Sequence, residues 1–215
     1  CGHGRKYHAI GLLNTDWGDY GHICHPWFSV PGILYGAAFA WNADNVPFDE
    51  INQAISLFEY GDREGIFMKA FVHLTDHEIF PWFNAVRWIE AADPEKRREQ
   101  LKEIDPAQVP AANAAIDAAL DELAQAALHM DADKRSILQA LEISATGAKL
   151  FNDIVCWIFA EQEDRDLPHR NGWELASALE NWYAAYLTQW RAVSKESTLR
   201  RTQHLITSYA DTLRG

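Results

Sequence analysis

Only one run in this sequence reads as a β-strand, and everything downstream of it repeats with helical spacing. That run is Ala9-Ile10-Gly11-Leu12-Leu13, short, apolar and closed by the polar cluster Asn14-Thr15-Asp16, as a fully buried parallel strand is. A buried parallel strand needs neighbours on both sides for its N–H and C=O groups. No second run of that quality follows, so its neighbours are expected upstream of Cys1. Cys1 itself, with no preceding Met, implies processing or truncation.

The rest predicts helices. Ile33 to Trp41 is apolar nearly all round, which suits a buried helix, and Pro47 opens another through about Tyr60. Ile116, Leu120, Leu123 and Ala127 are spaced four, three and four. Leu175, Leu179, Trp182, Tyr186 and Trp190 continue the helical spacing, as do Leu199, Thr202, Ile206, Tyr209 and Leu213. These stripes predict core-facing sides. Pro81, Asp93-Pro94, Asp105-Pro106, Asp131 and the polar stretch Glu161 to Asn171 punctuate them into helices of ordinary length.

Charge is unevenly spread. Residues 1–60 hold 8 charged side chains (Arg5, Lys6, Asp16, Asp19, Asp44, Asp49, Glu50, Glu59) of the 50 Asp, Glu, Lys and Arg in the chain, so this part is expected to be covered by something. The formal net charge of -12 repels phosphate backbones and anionic membrane surfaces, which argues against nucleic acid as a partner. No stretch approaches the roughly 18 unbroken apolar residues of a membrane span, and no basic-then-apolar leader opens the sequence. Three scattered cysteines, Cys1, Cys24 and Cys156, do not read as a disulfide framework; a reducing, cytoplasmic location is favoured.

The chemistry-bearing stretch is Leu12-Leu13-Asn14-Thr15-Asp16-Trp17-Gly18-Asp19-Tyr20-Gly21-His22, an apolar strand running into acids, aromatics and two glycines. Saccharide sites use this combination: an indole face stacks on the C–H face of a pyranose while a carboxylate accepts hydroxyl hydrogen bonds. A structural turn with Asp16 as a cap is the plainer reading of the same residues. His22, Cys24 and His25, with Asp16 and Asp19 close by, have metal-ligand chemistry but neither the two-residue gaps of zinc knuckles nor the four-residue helical pair of zinc hydrolases, so no metal site is expected. His73 and His77 read as a partly exposed face of a helix.

Asn14 to His22, followed by Tyr35-Gly36-Ala37-Ala38-Phe39-Ala40-Trp41-Asn42, resembles the last barrel strand and helix of glycoside hydrolase family 20, the exo-acting β-N-acetylhexosaminidases, in the branch whose (β/α)8 barrel is followed by an α-helical C-terminal domain. The resemblance covers about residues 8–42. It implies a mainly α fold in which residues 1–60 end a (β/α)8 catalytic barrel and residues 61–215 form a helical bundle domain. Trp17, Gly18 and Asp19 match the family's Trp, spacer and acid, although many members carry Glu where Asp19 stands. By that match Trp17 walls the sugar pocket and Asp19 accepts hydroxyls, with Asp16, Tyr20 and His22 as neighbours that support them.

The family cleaves with an Asp-Glu pair on an earlier strand, the Glu protonating the leaving oxygen and the Asp orienting the substrate's acetamido group as nucleophile, a departure from the two-carboxylate scheme. Asp49-Glu50 falls in a helix's first turn and Asp121-Glu122 inside a helix, so the catalytic pair is expected outside this chain. The resemblance implies no metal and no organic cofactor. The partners it implies are a glycan ending in N-acetylhexosamine and the remainder of the barrel, and it admits a homodimer contact. A Trp-rich helical interaction module without activity is the competing reading.

Overall fold

A computed structural model describes residues 2–18, 20, 23–42 and 46–215, with Thr198 described by its backbone alone. The described residues are mainly helical and contain no strand. Ten α-helices follow in order: α1 Gly2–Lys6, α2 Val30–Trp41, α3 Phe48–Tyr60, α4 Ile66–His73, α5 Trp82–Glu90, α6 Pro94–Glu99, α7 Val109–Ala126, α8 Ser136–Glu161, α9 Gly172–Val193 and α10 Leu199–Arg214. No described helix is long and apolar enough to cross a membrane.

The predicted stops act where the sequence places them. The Asp93 and Asp105 side chains accept from the N–H groups of Glu95 and Ala107, each just ahead of a proline at the first helical position. The Asn171 amide oxygen accepts from the Trp173 N–H at the start of α9. Gly61, at φ 70°, takes the left-handed conformation that ends α3.

The helix α8 is the spine of two apolar clusters. Its first half, through Ile137, Ala140 and Leu141, joins Ile51, Ile55 and Tyr60 of α3, Phe67 and Met68 of α4 and Leu123 of α7. Its second half, from Leu150 to Phe159, packs with the stripes of α9 and α10 and with Phe80, Ala85 and Trp88. The predicted stripes Leu175, Leu179, Trp182, Tyr186, Trp190 and Leu199, Thr202, Ile206, Tyr209, Leu213 are all buried. Their aromatic members interlock: Phe151 meets Tyr209 edge-on at 5.5 Å, and Trp182 stacks on Tyr186 at 5.5 Å. At the close of this core the Tyr209 hydroxyl donates to the Ala85 carbonyl at 2.7 Å.

Three expectations need correction. Residues 9–13 form no strand and are not buried: Leu13 is 84% exposed and Ile10 is fully so. An extended run makes a strand only beside another, and no described residues supply one. The helix expected over Ile33 to Trp41 forms as α2, but only Pro31 of it is buried and Trp41 is 91% exposed, because no described element covers its outer face. Finally, His73 and His77 do not share a helix. The helix α4 ends at His73, and the His77 Nε2–H donates to the His73 carbonyl at 2.8 Å from the following loop.

Candidate functional site

Residues 9–18 lie as a strap along α2. Gly36 makes room for the Asn14 amide, since a side chain there would sit 2.1 Å from Asn14 Nδ2. That amide donates to the Ile33 carbonyl at 3.2 Å. Two residues on, the Asp16 carboxylate accepts from the Ser29 hydroxyl. From the other side Arg5 donates to the Phe39 carbonyl at 2.7 Å and to the Asn42 carbonyl, tying α1 to the end of α2.

The predicted site residues are thereby placed in part. Trp17 is 74% exposed and presents its indole to solvent. Asp16 faces α2. Tyr20, at φ 57°, packs its ring edge-on against Phe83 at 4.9 Å with the Arg201 guanidinium 6.0 Å above it, and its carbonyl accepts from the Trp82 indole N–H at 3.2 Å. Tyr20 therefore anchors the strap to α5 and α10. Asp19 and His22 lie outside the described residues.

Between α4, α8 and α9 is a cavity that the sequence does not announce. It holds about 430 Å3, with walls from Phe28, Phe71, Ile116, Leu141, Phe151 and Trp182. Its rim carries Cys24, Asp76, Glu78 and Tyr186. The small residues Ser144, Ala145, Gly147 and Ala148 on α8 leave the space open, and Gly147 also lets α9 come close, because a side chain there would meet the Trp182 ring at 2.6 Å. In a helix otherwise rich in Leu, Ile and Phe, that run of small residues was the signal available in the sequence.

The rim is electronegative. Cys24 and Glu78 are partly open to solvent but backed by protein on the cavity side. Desolvation raises the Cys24 thiol above its ordinary range, and the negative charges of Glu78 and Asp16 push the same way. Desolvation likewise raises the Glu78 carboxyl, opposed by the Trp82 N–H that donates to it at 3.2 Å. A raised thiol is a poor nucleophile, so the rim is better suited to binding than to thiolate chemistry. His25, whose pKa partial burial lowers, accepts from the Trp27 N–H through Nδ1 at 3.2 Å and borders a separate groove of about 400 Å3 that also holds Trp27, Glu59, Tyr60, Gln139 and Gln189.

The Glu78 shift makes a pH prediction. A carboxyl raised in the folded state binds protons more tightly there than in the unfolded chain, so its contribution to stability is lost as pH rises through the folded value. Glu78→Gln is expected to match the parent in urea unfolding near pH 3.5, below the ordinary carboxyl value of 4.5, and to be the more stable of the two at pH 7. A difference that does not change with pH would refute this account of the rim.

Comparison of the chain with protein-family models, with curated proteins and with solved structures returned no match.

Proposed function

We propose that this chain is the C-terminal part of a β-N-acetylhexosaminidase of the glycoside hydrolase family 20 type. In this reading residues 1–60 end the (β/α)8 barrel and residues 61–215 form the helical domain that buttresses it. The strap with Trp17 near its end, followed in sequence by Asp19, supplies one wall of the pocket for the terminal sugar, and the catalytic Asp-Glu pair lies on an earlier strand outside this chain. Hydrolysis uses the substrate's acetamido group and needs no metal.

The observation that carries the reading is the uncovered apolar face. Ile10, Leu12, Leu13, Ile33, Trp41 and Phe48 are all exposed, on one extended segment and the two helices that follow it. Contiguous apolar surface of this kind marks a contact face. An extended segment laid along the helix that follows it, with a Trp and an acid at its C-terminal end, is the arrangement a strand-then-helix unit of a barrel requires. Seven further units would cover the segment's edges and its exposed apolar side chains.

The test uses the longer polypeptide that contains this sequence together with an upstream barrel. It is expected to release the leaving group from a chromogenic β-N-acetylglucosaminide. Trp17→Ala should cost about 2–3 kcal/mol of transition-state binding, roughly 30- to 150-fold in kcat/KM. Because Trp17 is exposed and buries nothing in the bundle, the melting temperature should stay put. No release of the leaving group, or a Trp17→Ala enzyme within twofold of the parent, would reject the reading.

A further inference from the structure

We propose that the cavity between α4, α8, α9 and the loop at residues 74–78 binds a small organic ammonium ion with an aromatic body. The inference is independent of the glycosidase reading. At about 430 Å3 the cavity falls within the range of small-molecule sites, and its walls are apolar and aromatic. Among the described residues that line it none is Lys or Arg, and the imidazole of His77 is engaged through Nε2 by the His73 carbonyl, whereas Asp76 and Glu78 stand at the rim and Asp16 is near enough for its charge to bear on Cys24. An anion would meet uncompensated negative charge there. A cation would be attracted by the carboxylates, with Phe71, Phe151 and Trp182 supplying aromatic wall beside it.

A second observation points to a ligand. Tyr186, at the edge of the same cavity, is 5% exposed and its hydroxyl has no hydrogen-bond partner among the described residues. Buried hydroxyls are almost always paired, and an ammonium N–H entering beside Cys24 would supply the missing partner. Burial and the neighbouring Tyr183 and Cys24 keep this phenol fully protonated, so it meets the ligand as a neutral acceptor.

Three indoles of similar size and different charge provide the test: tryptamine as cation, tryptophol as neutral isostere and indole-3-propionate as anion, titrated calorimetrically into the 215-residue chain at pH 7. Tryptamine is expected to bind at least tenfold more tightly than tryptophol, with no heat from the propionate. Glu78→Gln, at the rim and outside the core, should bring tryptamine down to the level of tryptophol. Ala148→Phe, which fills the cavity from α8, should abolish binding of both. Absence of binding by tryptamine, equal binding of the three indoles, or tryptamine binding that survives both substitutions overturns the proposal.

Discussion

Asn152→Ala is expected to lower the unfolding free energy by about 3–5 kcal/mol, the largest effect of any polar substitution in this protein. Asn152 is completely buried on α8. Its Oδ1 accepts from the backbone N–H of Ile79 at 2.7 Å and from that of Phe80 at 3.4 Å. Its Nδ2 donates to the His77 carbonyl and to Asn113 Oδ1, each at 2.9 Å. One amide thus satisfies the loop that leads into α5 and the side of α7 together. Alanine leaves two N–H donors, the His77 carbonyl and Asn113 Oδ1 without the partners Asn152 gives them, while Asn113 Nδ2 keeps its bond to Asp153, and each such orphan costs about 1–3 kcal/mol before relaxation. For a chain of this size the loss corresponds to roughly 6–20 °C in Tm. Asn152→Asp should be no better, because it sets an oxygen against the two acceptors that the amide nitrogen now serves. Urea unfolding followed by circular dichroism measures both variants. A loss below about 1 kcal/mol would mean that the loop finds other partners.

Gly172→Ala is expected to destabilise by about 2–4 kcal/mol, although alanine is the better helix former. Gly172 is the first residue of α9, where a methyl group would lie 2.1 Å from the Leu213 carbonyl oxygen on α10 and 3.0 Å from the Trp157 indole nitrogen. The propensity gain is at most about 1 kcal/mol, and less in a first turn. The clash is with backbone, so relief requires α9 and α10 to separate along the seam formed by Leu175, Leu179, Tyr209 and Leu213. Overpacking of that kind ordinarily costs more than the propensity returns. The same denaturation experiment checks the sign: a variant as stable as its parent would show that the seam is looser than its geometry indicates.

The helical part of the fold was legible because the signal was periodic and redundant. Five apolar residues on α9 and five core-facing positions on α10 fall at the expected spacing, and the Asp-Pro pairs mark helix starts by side-chain capping that any reader of the sequence can name. What escaped was everything that depends on residues far apart. Asn152 looks like one polar residue in an apolar helix, since its partners His77, Ile79 and Phe80 are more than 70 positions away. The cavity escaped because it is made by missing volume at Ala145, Gly147 and Ala148, and Tyr186 reads from spacing as ordinary core. The five residues 9–13 misled in the opposite sense. Their composition reads as a buried strand, but a ladder is a property of two strands, and composition cannot supply the second.

The rim groups complete that contrast. The sequence groups Cys24 with His22 and His25 as residues of metal-ligand chemistry, whereas the structure sets Cys24 against Glu78, Asp16 and Tyr186, with His25 engaged by the Trp27 N–H. Desolvation first, and charges brought together by folding second, thus decide the behaviour of the thiol.

The central claim is that residues 9–13 are the last strand of a barrel whose other strands lie elsewhere. Backbone amide hydrogen exchange of those five residues tests it most directly, measured in the 215-residue chain and in the longer polypeptide with its upstream barrel. In the chain alone they are exposed and belong to no ladder, so exchange should approach the unprotected rate. In the longer polypeptide the account predicts that Ile10 to Leu13 become protected by several orders of magnitude, as strand residues buried in a barrel are. Exchange equally fast in both would contradict it, and would leave the strap as a surface segment of a helical protein.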